Sequence, residues 1–138
     1  MKTFRLISLE ILEDDKDQLI SHNIPLLDGL ILNREEETSQ WILECLIDRR
    51  YWLFFSDLKE SKEELMLQAK ITKETNQPAT FMSSIIEIND INEGTINVLF
   101  AGKLIDRKKD HIEETLKRLI EEGYQGERLL AKFKEAEN

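Results

Sequence analysis

The chain has 138 residues, 41% hydrophobic and 34% charged, with a net charge of −9 and one cysteine. This is the composition of a single folded domain, and it excludes a disordered chain or a disulfide-stapled one. No run approaches the 18 apolar residues of a membrane-spanning helix. The acidic excess counts against general binding to phosphate backbones.

The opening segment Thr3–Leu12 reads as a first strand. Ile7, Leu9 and Ile11 alternate with Ser8 and Glu10, while Phe4 and Leu6 lie on the other parity. Asp14-Asp15-Lys16-Asp17 is a charged turn, and a second strand follows from about Gln18 to Ile24. Pro25 has no amide proton and belongs at a strand end or edge. Asp28-Gly29 is a turn signal before a short third strand, Leu30–Leu32. Arg34–Ser39 is a polar loop, and Trp41–Ile47 a fourth strand.

Tyr51-Trp52-Leu53-Phe54-Phe55 reads as a fifth strand, with five large side chains in succession. A sheet with one wet face is not written so, and both faces of this strand are expected to be covered. Leu58–Glu64 is a polar loop or a single helical turn. Leu65–Ile71 alternates as a sixth strand, with a helix over Glu63–Lys70 as the alternative. Lys73–Pro78 is a loop. Thr80–Ile88 and Thr95–Ala101 are the seventh and eighth strands, joined through Asp90–Gly94. Eight short strands at near ten-residue spacing predict an antiparallel barrel or sandwich.

The rhythm changes near Gly102 to three or four residues, which divides the chain into a β core, residues 1–102, and a helical pair, residues 103–138. The core holds 10 Lys and Arg against 19 Asp and Glu, and the tail 9 against 9, so the core carries the whole negative excess. Asp106 or Asp110 is the expected cap of a helix with Ile112, Leu116, Leu119 and Ile120 on one face. Gly123 stops it. A second helix of about ten residues carries Leu129, Leu130 and Phe133 on one side. A helix that short needs a surface to dock on.

Met1–Leu6, Pro25–Glu35 and Trp41–Glu44, taken together, resemble the YwpF-like family of small bacterial proteins over the full length of the chain. The resemblance implies a β-barrel core followed by a two-helix pair, and so selects barrel over sandwich. It also implies a barrel similar in fold to the tube-forming proteins of type VI secretion. It brings no activity and no functional residues with it.

Residue chemistry points the same way. His22 and His111 are the only histidines and show no metal-ligand spacing. Cys45 alternates with Leu43 and Ile47 and reads as a small buried thiol. No nucleophile elbow and no Gly-rich phosphate loop is present. Glu44 and Glu87 sit inside strands, where a solvated outer face is the expectation and a buried carboxylate would change the reading. No metal and no cofactor is expected.

Arg49-Arg50 before the aromatic run offers a nucleic-acid alternative, since small barrels that bind single strands combine cations with exposed aromatics. Lys103, Arg107, Lys108 and Lys109 form a second basic spot. A ligand in the barrel mouth is a third possibility. The leading expectation is a cytosolic, non-enzymatic structural or interaction module that self-associates. A barrel hides only one parity of its strands inside, and apolar residues occupy both. The expected interface residues are Tyr51, Trp52, Phe54, Phe55, Leu116, Leu119, Leu129 and Phe133.

Overall fold

Two-residue alternation runs far enough in the first 33 residues to build one long hairpin. Strand β1 (Lys2–Asp15) turns back into β2 (Gln18–Ile24) through Lys16 and Asp17, which both take positive φ, 48° and 66°. Pro25 breaks the returning strand, which resumes as β3 (Leu26–Asn33). Strands β2 and β3 pair with successive parts of β1, Leu9–Asp15 and Lys2–Arg5 respectively. The computed structural model describes residues 2–34, 40–105 and 109–137. Apart from Arg34, the expected loop over Arg34–Ser39 lies outside them. So do the expected cap at Asp106, Arg107 and Lys108, and the side chains of Lys109 and Asp110.

The remaining strands are β4 (Gln40–Asp48), β5 (Leu65–Ile71), β6 (Ala79–Asn92) and β7 (Thr95–Ile105). All neighbouring pairs are antiparallel, in the order β2-β1-β3-β4-β7-β6-β5. The sheet closes because β5 also pairs with β1, from Leu6 opposite Ile71 to Leu12 opposite Met66. The result is a six-position barrel of β1, β3, β4, β7, β6 and β5, with β2 added alongside β1. The antiparallel barrel with C-terminal helices is therefore the expected architecture, with seven strands where the sequence suggests eight.

The missing strand is Tyr51–Phe55. It forms a 3₁₀ turn (Arg49–Tyr51) and then helix α1 (Trp52–Ser61). Asp48 explains the switch: its carboxylate accepts the amide of Arg50 at 2.9 Å, which starts a helix where a strand was expected. Read over ten residues, Phe55 and Leu58 share one helical face, and both are buried. The apolar run had concealed a period that only continues beyond Ser56-Asp57.

Strand β7 runs through Gly102 to Ile105 rather than stopping near it. A Cβ at Gly102 would press on the Met82 carbonyl oxygen and lie 2.6 Å from the Ser83 Cβ. The glycine marks a close approach of two backbones inside the sheet. Strand β6 likewise outruns the expected Thr80–Ile88, and a two-residue turn, Glu93-Gly94, joins Asn92 to Thr95.

Two apolar clusters result. Inside the barrel, Leu9, Ile11, Ile31, Leu43, Phe81 and Phe100 are wholly buried, and Phe55 from α1 joins them. Helix α1 thus stoppers one end. The second cluster is outside. Leu12, Met66 and Met82 point outward from β1, β5 and β6 and receive helices α2 (Lys109–Glu121) and α3 (Gly126–Glu137). Gly123, with φ of 102°, ends α2 as expected.

Candidate functional site

The eight side chains expected at an interface fall in two places. Leu116, Leu119, Leu129 and Phe133 are buried beneath the helix pair, against the barrel of the same chain. The aromatic run sits at the stoppered end. Phe55 is wholly buried, stacked edge-on against Phe100 and Phe54. Phe54 and Tyr51 pack partly on the inner cluster, and Trp52 stands at its rim. Of the run, Leu53, 71% exposed, projects furthest into solvent, and Trp52 is exposed at 36%.

Arg49 and Arg50 are brought together with aromatics but are already engaged. The Arg49 guanidinium forms a two-nitrogen pair with the Asp90 carboxylate, donates to the Asn92 carbonyl at 2.9 Å and lies over the Trp52 ring. The Asp90 carboxyl is held below the ordinary carboxylate range by these hydrogen bonds, and Arg49 is raised in turn. Arg50 stacks over Tyr51 and donates to its hydroxyl at 3.3 Å. A phosphate would have to displace the Asp90 carboxylate from Arg49.

Among the described residues, the groups weighed for catalysis lie apart or engaged. Cys45 is wholly buried, and desolvation, with a smaller push from Glu44, raises its thiol far above the ordinary value. A thiol kept neutral is no nucleophile. His22 sits 2.8 Å from Glu13 and edge-on to Phe54, and His111 lies on α2. Among the described residues no three His, Cys, Asp or Glu side chains converge as a metal site. Glu44 is half-buried on the outer face of β4 and accepts from Asn97 at 3.0 Å. Glu87 is exposed on the outer face of β6. Gln68 is 1% exposed, and its side-chain oxygen has no partner among the described residues. A cavity of about 100 Å³ between the first hairpin and α3 is smaller than the ~300 Å³ at which ligand pockets begin.

What sequence reasoning missed is a surface. The helix pair covers the outside of β1, β5 and β6, with Leu19 of β2 and Ile105 at the end of β7 at its margin. On the far side, register places Leu30, Glu44 and Leu99 in one outward row, and Leu32, Ile42 and Ala101 in the next. Leu46 follows beside Asn97. Leu30 is 42% exposed, and Ile86, at the nearby bulge of β6, is 49% exposed. No helix of the described chain contributes to this face. The signal was present in the sequence as apolar residues on both parities of the third and fourth strands.

The YwpF-like protein family matches the chain over residues 2–136. The uncharacterized protein YwpF of Bacillus subtilis (strain 168) is 36% identical over 135 residues, covering 98% of each chain. The crystal structure of a hypothetical protein from Staphylococcus aureus aligns with a TM-score of 0.70 at 28% identity, covering 97% of this chain and 91% of that one. No helix among the described residues is long and apolar enough to cross a membrane.

Proposed function

The chain belongs to the YwpF-like family, and we propose that it is a non-enzymatic structural module that self-associates. The observation that supports this reading is the apolar outer face of β3, β4 and β7. The chain's own tail packs over β1, β5 and β6, while the far side presents Leu30, exposed, and Leu32, Ile42, Leu46 and Leu99, half-buried, with no helix of the described residues over them. Apolar side chains gathered on one face around the Glu44–Asn97 pair, on a highly charged chain, support an interaction surface.

Sedimentation of the intact chain across a micromolar range tests the reading. The mass is expected to exceed that of one chain of 16.3 kDa and to fall on dilution. Leu30→Glu is expected to lower it at fixed concentration. A single 16.3 kDa species at every concentration would remove the proposal.

The alternatives draw less support. The nucleic-acid reading needs Arg49, which Asp90 occupies. A ligand in the barrel mouth meets Phe55 and Leu58 of α1 at one end and a lumen filled with wholly buried side chains. The expected likeness to type VI secretion tube proteins is a fold-level analogy and lends this reading no support.

A further inference from the structure

The two ends of the barrel carry opposite charge. Strands β1, β4 and β6 run toward the end that α1 stoppers, and β3, β5 and β7 run back from it. At the stoppered end, residues 13–17, 48–64 and 87–94 bear 12 Asp and Glu against 5 Lys and Arg. Of those five, Arg49 lies on Asp90, and Lys62 is 3.8 Å from both Glu13 and Asp14. The tail brings one more cation, Lys134, to Glu64. Phe55 and Leu58 face inward, so Leu53, Asp57 and Glu60 look out from the opposite side of α1, and all three are exposed. At the open end, Lys2, Arg5, Arg34, Lys70, Lys73 and Lys103 stand against Glu74 among the described residues. Residues 35–39 and 106–108, counted by sequence, bring this end to 8 basic and 5 acidic. Lys109 and Asp110, which open α2, add no net charge, and Glu113 and Glu114 follow on the flank where α2 packs. Glu10, Asp28 and Glu44 lie on the walls between the two ends.

We infer that the chain associates end to end, the basic open end of one copy seated on the acidic, α1-stoppered end of the next. The inference rests on the self-association proposed above and names a contact separate from the apolar face of β3, β4 and β7. Charge complementarity selects the occupant. Like ends repel, whereas opposite ends attract and steer two copies into one orientation. Each end also carries an apolar group for the contact. Leu53 stands on the outer side of α1, and Leu104, opposite Phe81, is 43% exposed at the open end. The contact is heterologous, because the two copies give different surfaces to it. A pair therefore keeps one unused end of each kind, and further copies can add.

The test uses the full chain carrying Leu30→Glu, which disables the apolar face and leaves both ends intact. Sedimentation is expected to show association at about 0.05 M salt that weakens about tenfold by about 0.5 M, since an exposed charge contact is screened. Two charge variants are made in this background, all at exposed positions. One carries Lys73→Glu and Lys103→Glu at the open end. The other carries Asp57→Lys, Glu60→Lys and Glu63→Lys at the stoppered end. Each alone is expected to be monomeric, and their equimolar mixture to form a one-to-one dimer, because each keeps the end that the other lacks. The single changes Lys103→Glu and Glu60→Lys are expected to weaken association severalfold, and they carry the test should a multiple variant fail to fold. If the parent chain associates but the Leu30→Glu chain is monomeric, or the mixture stays apart, the end contact is wrong and self-association stands. Binding of a single-stranded DNA oligonucleotide that is lost with Lys73→Glu and Lys103→Glu, while the mixture stays apart, would assign the open end to a polyanion instead. A parent chain that is monomeric throughout removes both readings.

Discussion

The Asp14 carboxylate, at the end of β1, accepts the backbone amide of Gly126, the first residue of α3, at 3.0 Å. The barrel's first hairpin thereby satisfies one of the unpaired amides of the last helix, 112 positions away in sequence. Gln125 donates to Asp17 at 2.6 Å, and Lys134 donates to Glu64, so further polar contacts join the tail to the core. Asp14→Ala is expected to cost about 1 kcal/mol, the usual worth of a helix cap. Asp14→Asn keeps an acceptor and is expected to cost less. Thermal melts of the two variants, compared with the parent, check the order.

Phe55 and Phe133 fill different clusters, one inside the barrel and one beneath the helix pair. Each truncation to Ala is expected to cost about 3–5 kcal/mol in urea unfolding. Hydrogen exchange separates them. Phe133→Ala is expected to release the amides of α2 and α3 while those of β4 and β7 remain protected. Equal loosening of all strands by Phe133→Ala would show that tail and barrel unfold as one unit.

Gly102→Ala is expected to be among the more damaging single changes despite adding only one methyl group. The new Cβ meets the backbone of Met82 and Ser83, which cannot swing away as a side-chain tip does. A loss of about 1–3 kcal/mol, the range for forced overpacking, is expected in the same assay. Gly94→Ala is the control, since its nearest neighbour would be the Asn92 side chain at 3.9 Å.

Cys45 is a built-in reporter of unfolding. Burial raises its thiol, so a thiol reagent at pH 8 is expected to leave the folded chain unlabelled and to react at the rate of opening in urea. Fast labelling of the native chain would contradict the burial.

The Arg49–Asp90 pair sets a pH window. The folded carboxyl of Asp90 is lowered by Arg49, so its contribution is complete above the ordinary aspartate value of about 3.9. It fades as pH falls through the lowered folded value. The urea midpoints of the parent and Asp90→Asn are therefore expected to differ at pH 6 and to converge in strong acid. Added salt shrinks the difference, because both groups are exposed.

The strands with clean alternation were legible as sequence. Leu43, Cys45 and Ile47 turn inward together, and Ile96, Val98 and Phe100 do the same, as two-residue spacing requires. The helix pair was legible from Ile112, Leu116 and Leu119, and from Gly123. Tyr51–Phe55 was not, because five adjacent apolar residues have no period of their own and the deciding signals lay outside them, in Asp48 before and Leu58 after. The bare face of β3 and β4 was half legible: the excess apolar parity was plain, but which strands the tail covers depends on closure between β1 and β5. The opposite charge of the two barrel ends was not legible at all, since which strand ends meet is a property of pairings between distant residues.

Closure itself bears on the order of folding. Leu12, Met66 and Met82 form the floor on which Ile112 and Phe133 rest, and they come together only when β1, β5 and β6 lie side by side. The two C-terminal helices therefore have no landing site until the ring is shut, and the ring cannot shut until a segment some sixty positions downstream returns to the first strand. Such distant pairings are slow to form, so ring closure is expected to be the rate-setting event and the tail to arrive last.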